Sequence, residues 1–181
     1  DTYGVDRWTE CARVADIGFS DFETLLIYDN DLTNEILDTA SAVLHRPRFE
    51  LMEDLGTYLV SHPNTESLRR LLRFGGDTFI EFLHSLDELP DRARLAVSDL
   101  VLPELDLRDQ TATQYSLACR SPIAGSGHVF IGILRAMADD YGALVMLEHL
   151  GASQGIETIS ISLVASEFAT GRRFDLGCRD D

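Results

Sequence analysis

A glycine-containing turn is the pattern in this sequence that comes closest to a recognisable binding motif. Gly125-Ser126-Gly127 precedes an amphipathic segment, so the turn would lie at a helix N-terminus, where free backbone N–H groups can hold an anion. No Lys follows to meet a phosphate, and a plain turn explains the same residues. Both interpretations stay open, and the plain turn is favoured.

The titratable side chains follow no catalytic or metal-binding pattern. The five histidines form no i, i+4 ligand pair, which favours surface or hydrogen-bonded roles for His45, His62, His84, His128 and His149. Asp87-Glu88 and Asp139-Asp140 are adjacent acids that point to different helix faces, so we interpret both pairs as solvated charge. The P-loop, HExxH, GxSxG and dinucleotide motifs are absent from the sequence. We therefore expect no catalytic residues, no metal site and no enzymatic activity.

The charge composition excludes two broad classes of partner. The chain has 181 residues, with 15 basic residues (all Arg), 31 acidic residues and a net charge of -16. A basic face for nucleic acid or anionic lipid needs more cationic side chains, so we expect neither a nucleic-acid nor a membrane partner. The three cysteines lack disulfide or zinc spacing, and no apolar run reaches membrane-span length. A cytoplasmic location follows most simply. The cysteines are Cys11, Cys119 and Cys178.

Helical periodicity dominates the first half of the chain. Apolar stripes predict helices near residues 8–15, 32–44, 49–59, 68–72 and 79–89. Asp6 is the predicted N-cap of the first helix. Pro90 is expected to end the fifth, because a proline ring clashes with a continuing helix.

The second half changes to a strand period. We predict strands near residues 101–107, 111–119, 144–147 and 156–164, with a helix at 129–141 between the two pairs. A helical block followed by β-β-α-β-β indicates an α+β fold, in which a helical subdomain packs on a mostly antiparallel sheet. We expect a single domain over residues 1–164, divided into a helical part (1–75) and a helix-plus-sheet part (76–164). Residues 165–181 would form a polar tail or linker.

Several segments share their order and spacing with one known family. Phe79-Ile80-Glu81-Phe82-Leu83 with Leu86-Asp87-Glu88-Leu89 is similar to a helix that presents the proximal ligand of heme. Leu102-Pro103 resembles a strand whose Pro bends the porphyrin, and Leu117-Ala118-Cys119-Arg120 resembles a propionate-binding strand. The family is H-NOX (heme nitric oxide/oxygen binding, HNOB), the heme sensor domain also found in soluble guanylate cyclase. The resemblance covers about residues 3–164 and implies a sensor domain with heme as the family cofactor.

The departures from the family concern the heme site. Pro90 occupies the position of the heme-ligating His, and Pro has no ring lone pair to give to iron. His84 is no simple substitute, because it lies about 120° around the helix from Pro90. Aligned on Arg120, the family's Tyr-x-Ser-x-Arg reads Ser116-x-Ala118-x-Arg120 here, so only the Arg is kept in kind.

The leading hypothesis is a sensory or regulatory domain with a decayed heme site, which would have no ligated heme or would hold another small apolar ligand. Arg120 would pair with a carboxylate, for example that of a fatty acid, although an ion pair with a nearby acid explains the same residue. The old propionate strand (Ser116 and Ala118) and the position of Pro90 complete the site. The expected apolar walls are Pro103, Leu105, Leu83, Leu86 and Val129.

Two alternatives stay open. Heme can be retained by porphyrin burial and Arg120, with an atypical axial ligand, giving a gas sensor. The domain can instead be a ligand-free interaction module, which an exposed apolar patch on the helix at 129–141 would favour. By resemblance, the partner would be a signalling protein such as a cyclase or a kinase, and a homodimer is open.

Overall fold

Six helices form the described part of the first half of the chain. The computed structural model describes residues 2–19, 22, 28–96 and 102–172. Within them no helix combines the length and the apolar character needed to cross a membrane. Short 3-10 turns occupy Pro63–Thr65 and Leu86–Glu88. The helices are α1 (Val5–Val14), α2 (Asn30–Leu44), α3 (Arg48–Ser61), α4 (Glu66–Arg73), α5 (Phe79–His84) and α6 (Leu89–Ala96).

In the second half, the residues that the structure describes form a four-stranded antiparallel sheet and one long helix. The sheet order is β1-β2-β4-β3, and α7 (Ser126–Tyr141) connects β2 to β3. This arrangement confirms the predicted α+β fold and its β-β-α-β-β order. Val101, which we placed in the first strand, lies outside the described residues. The strands are β1 (Glu104–Asp109), β2 (Gln114–Arg120), β3 (Leu144–Ser153) and β4 (Ile156–Ala165).

One face of the sheet carries the core. Side chains alternate along β2 and β4, so that Leu117, Ile159 and Ile161 are fully buried while their neighbours face outward. Phe82 of α5 and Leu134 of α7 are buried in the same cluster. The core therefore fixes α5 and α7 against the inner face of the sheet.

Two glycines let α3 and α7 cross at close range. A Cβ on Gly56 would lie 2.0 Å from the carbonyl oxygen of Val129, and a Cβ on Gly132 would lie 2.1 Å from that of Glu53. Backbone therefore meets backbone on both sides of the crossing, where any larger residue would force the helices apart.

The structure corrects two predicted helix boundaries. The predicted helix at 79–89 is interrupted, since α5 ends at His84 and a 3-10 turn follows. Pro90 does not end a helix but lies in the first turn of α6, where the missing N–H would have no intrahelical partner. The Asp6 N-cap prediction is also wrong, because α1 begins at Val5 with Gly4 as its N-cap.

The first residues of the predicted tail fold back onto the end of α7. The backbone N–H groups of Phe168 and Ala169 donate to the carbonyl oxygen of Gly142, and that of Arg172 donates to the carbonyl oxygen of Asp140. Residues 173–181, including Cys178, lie outside the described part of the chain.

Candidate functional site

A large apolar cavity lies between α4, α6, α7 and the segment that leads into β1. Its volume is about 770 Å³, which is within the range of small-molecule sites. Leu71 of α4, Ala93 of α6 and Ile133 of α7 face it from different sides. The full lining comprises Leu59, Ser67, Leu68, Arg70, Leu71, Leu72, Phe74, Leu89, Pro90, Ala93, Leu102, Pro103, Leu105, Ser126, Val129, Phe130 and Ile133.

The cavity wall has few polar groups. Apart from Ser67 and Arg70 on α4, the polar side chain in the described lining is Ser126, whose hydroxyl already donates to the carbonyl oxygen of Ile123 at 2.6 Å. Among the described lining residues there is no His, Cys, Met or Tyr. These are the side chains that bind heme iron axially, so this wall does not fit a heme held by a protein ligand.

Four of the predicted site residues lie on this cavity. Pro90, Pro103, Leu105 and Val129 all line it. The resemblance equates Pro90 with the family's heme-ligating position and Pro103 with the residue that bends the porphyrin. The cavity therefore lies where the family's heme site is expected.

Two of the apolar residues that we expected on the cavity wall lie in the protein core instead. Leu83 and Leu86 are fully buried members of the core and are not among the residues that line the cavity. Leu83 lies on α5 and Leu86 in the 3-10 turn that follows it, and both pack in the core cluster with buried residues of the sheet.

The three β2 residues that the resemblance assigns to propionate binding lie on the outward face of the sheet, opposite the core. On β2 the buried side chains are Tyr115, Leu117 and Cys119, and the residues between them alternate outward. Arg120 is 57% exposed, and its Nε lies 3.5 Å from the carboxylate of Glu104. The outward face holds Ser116, Ala118 and Arg120, none of which lines the cavity.

The exposed apolar patch that would favour an interaction module is not found on α7. Phe130, Ile133, Leu134 and Met137 are buried, and Val129 faces the cavity. His84, which the helix geometry argued against as a replacement heme ligand, is half exposed with its Nε2 3.1 Å from Asp109. Within the described residues no cluster of His, Cys, Asp and Glu is arranged to hold a metal ion.

The glycine-containing turn before α7 does hold an anion, and that anion belongs to the chain itself. The buried carboxylate of Glu157 on β4 accepts hydrogen bonds from the backbone N–H of Gly125 at 2.6 Å and of Gly127 at 3.0 Å. A negative charge is favourable at a helix N-terminus, so the Glu157 side chain caps the N-terminus of α7. Sequence reasoning missed Glu157, although it falls on the apolar side of an alternating strand, two residues before Ile159.

A second buried charge also escaped the sequence interpretation. Asp139 is exposed as expected, but Asp140 is buried and accepts from Arg69 Nη2 at 2.8 and 3.0 Å. Arg69 and Asp140 are each only 4% exposed. The interpretation of Asp140 as solvated charge is therefore wrong, because the side chain joins α4 to the end of α7.

Comparison with known proteins places the chain in one sequence family and agrees with the fold. The sequence pattern of the haem-NO-binding family matches residues 1–149. The chain is 25% identical to the soluble guanylate cyclase gcy-31 of Caenorhabditis elegans over 138 residues, 76% of this chain and 20% of that protein. It is 22% identical to the soluble guanylate cyclase 89Db of Drosophila melanogaster over 152 residues, 84% of this chain and 23% of that protein. The chain therefore spans about a fifth of the length of these relatives.

Solved structures share the fold at low sequence identity. A mutant form of T. tengcongensis H-NOX superposes with a TM-score of 0.73 at 17% identity, covering 92% of this chain and 91% of that one. An H-NOX protein from S. oneidensis gives a TM-score of 0.75 at 16% identity, covering 90% and 88%. The family pattern and the fold agree, and the chain belongs to the haem-NO-binding, or H-NOX, family of sensor domains, which are not catalytic.

Proposed function

We propose that this domain is a cytoplasmic sensor whose cavity binds an apolar small molecule in place of heme held by a protein ligand, and that it regulates a signalling partner. The observation that carries the proposal is the composition of the cavity wall. A volume of about 770 Å³ is lined almost entirely by apolar side chains, among them Pro90, which the resemblance equates with the family's iron-ligating position.

The apolar lining supports burial of a hydrophobic ligand. Each Å² of apolar surface removed from water stabilises the bound state by about 25 cal/mol, so a ligand that fills the cavity could bind tightly without a metal bond. In the family, gas binding acts on the iron–His bond. A ligand at this wall would act instead by binding two conformations of the domain with different affinity.

The signalling role is supported by the relatives. Both are soluble guanylate cyclases, and this chain matches only a fifth of each. We propose that the domain likewise controls an output such as a cyclase or a kinase, whether carried by the same polypeptide or by a separate protein.

Absorption spectroscopy and native mass spectrometry test the proposal together. We expect purified protein to lack a stoichiometric Soret band, and added hemin to give no spectrum of His-ligated heme. We expect native mass spectra to show an additional mass that is lost on denaturation. A stoichiometric Soret band in the isolated protein would indicate a heme sensor with atypical ligation. Absence of both band and mass, with no binding of apolar probes, would favour an interaction module.

Two variants show whether the cavity is the binding site. Ala93→Phe places a ring inside the cavity and should abolish binding of a fluorescent fatty acid, whereas Ala12→Phe on α1 lies away from the cavity and should not. Pro90→His restores the family's ligand type on the wall, and we expect hemin to give a shifted Soret band in this variant alone. Equal probe binding by wild type and Ala93→Phe would contradict the assignment of the cavity.

A further inference from the structure

The polar groups of the cavity are concentrated on one helix. Ser67 and Arg70 are one turn apart on α4, both line the cavity, and both are exposed to solvent. The remaining α4 side chains on the wall are Leu68, Leu71 and Leu72. The cavity is therefore apolar inside and has a polar edge that carries a positive charge.

Arg70 is weakly engaged in the structure. Its Nε lies 3.8 Å from Oε1 of Glu66, and this oxygen also accepts from Arg69 Nη1 at 3.2 Å. Within the described residues, the terminal nitrogens of Arg70 have no hydrogen-bond partner, and the side chain is 54% exposed. The planar N–H fork of this guanidinium is thus available to an incoming anion.

The other arginines that could be considered for this role do not line the cavity. Arg69 is buried with Asp140, and Arg92 donates to the carbonyl and hydroxyl oxygens of Ser85. Arg120 lies on the outward face of β2 beside Glu104. Within the described residues, Arg70 is the cation that lines the cavity.

We infer that Arg70, assisted by Ser67, is the head-group site of this cavity and that the ligand is a long-chain carboxylic acid whose tail enters the cavity. The inference rests on the proposed function. Arginine binds a carboxylate through two parallel hydrogen bonds, and the Ser67 hydroxyl adds a third donor at the same edge. Heme propionates offer the same carboxylate chemistry on an apolar body, so the test must separate the two sources.

Calorimetric titration of the full chain with oleic acid and with oleyl alcohol tests the assignment. The two probes share their tail and differ in charge. We expect Arg70→Gln to weaken oleic acid about ten- to a hundredfold, as for loss of a charged hydrogen bond, while oleyl alcohol is unaffected. Arg70→Lys should recover part of the affinity. Arg94→Gln is the matched control, since Arg94 is similarly exposed on α6, pairs with Asp91 at i, i+3 and does not line the cavity.

Each contrary result has a distinct meaning. Unchanged oleic acid affinity in Arg70→Gln, or an equal loss for acid and alcohol, would overturn the head-group assignment and leave the proposed cavity ligand standing. If Arg120→Gln weakened oleic acid binding and Arg70→Gln did not, the carboxylate would be assigned to Arg120 on β2. Preference for hemin over oleic acid, reduced by the Arg70 variant, would assign the carboxylate to a porphyrin and overturn the fatty-acid class. Failure of the wild-type protein to bind any of these probes would overturn both proposals.

Discussion

His128 and His149 stack on each other, with ring centroids 4.2 Å apart and 19° between their planes. Each ring is held by a different carboxylate. Nδ1 of His128 lies 3.1 Å from Glu53 on α3, and Nε2 of His149 lies 2.8 Å from Glu157 on β4. Because Nδ1 of His149 accepts from the Gly151 N–H, its proton must lie on Nε2 and be donated to Glu157. The stack therefore joins four elements at the N-terminus of α7.

Substitution of Glu157 should weaken this junction. In Glu157→Gln the amides of Gly125 and Gly127 lose a charged acceptor, and we expect a loss of about 1.5–3 kcal/mol in the free energy of unfolding. Urea unfolding followed by circular dichroism measures it. Glu148→Gln, an exposed position on β3, is the control and should change stability by less than about 0.5 kcal/mol. Equal effects at both positions would argue against the capping role of Glu157.

The helix crossing gives a second prediction. Gly56→Ala and Gly132→Ala place a methyl group about 2 Å from a carbonyl oxygen, and we expect each to cost at least about 1–3 kcal/mol through overpacking. Thermal unfolding is a sufficient measurement. Ser61→Ala, at the exposed end of α3, should have little effect. If the alanine variants were as stable as wild type, the close approach of α3 and α7 would be incorrect.

A third prediction concerns the buried Arg69–Asp140 pair. Asp140→Asn removes the negative charge that pairs with Arg69. The Nε of Arg73 also lies 3.7 Å from this carboxylate. Breaking one partner of a buried ion pair typically costs about 3–5 kcal/mol, because the remaining charge is left uncompensated. Asp139→Asn, at the exposed neighbouring position, should change the urea midpoint little. Similar losses from both substitutions would indicate a general charge effect on α7.

Alkaline pH should destabilise the fold through Cys119. Burial raises the pKa of this thiol to about 12, and the nearby charge of Glu157 acts in the same direction. The thiol of the unfolded chain titrates at about 8.5. The stability that the buried, protonated thiol contributes is therefore fully present below that pH and is lost as pH rises toward 12, by at most about 1.4 kcal/mol per pH unit. Urea unfolding between pH 8 and about 11 measures the slope.

Cys119→Val supplies the comparison for the alkaline measurement. It removes the titrating thiol and keeps an apolar side chain of similar size on β2, so its stability should fall less steeply over the same interval. Identical slopes for both proteins would assign the alkaline loss to other groups. Tyr141 is one such group, since burial raises its pKa to about 12 as well.

Local patterns were sufficient to predict the sheet and its connecting helix. The alternation of Ile159, Ile161 and Leu163 with serines shows directly which side of β4 is buried. The helix boundary at Pro90 was missed because proline ends a helix from its interior but is tolerated in a first turn, and sequence alone does not separate the two positions.

The two buried charges depend on contacts between residues that are distant in sequence. Glu157 and Gly127 are separated by 30 positions, and Arg69 and Asp140 by 71. No short-range period encodes either contact, although a Glu on the apolar side of a strand is a visible sign of an internal partner. The same holds for Arg70, whose place on the cavity wall follows from how α4 packs, not from any motif around it.

The 3-10 turn after α5 separates what could be one long helix into two short helices, α5 and α6. A continuous helix over residues 79–96 would be a rigid rod of about 27 Å, and a displacement of one end would move the other end along the helix axis. Here α5 is anchored in the core, whereas α6 presents Pro90 and Ala93 to the cavity. Arg92 ties the joint at Ser85, and Asp87 within it accepts from the backbone N–H of Leu107 at 3.3 Å. A ligand that displaces α6 would therefore act on the edge strand β1 through the Asp87–Leu107 hydrogen bond, and not along the axis of a continuous helix.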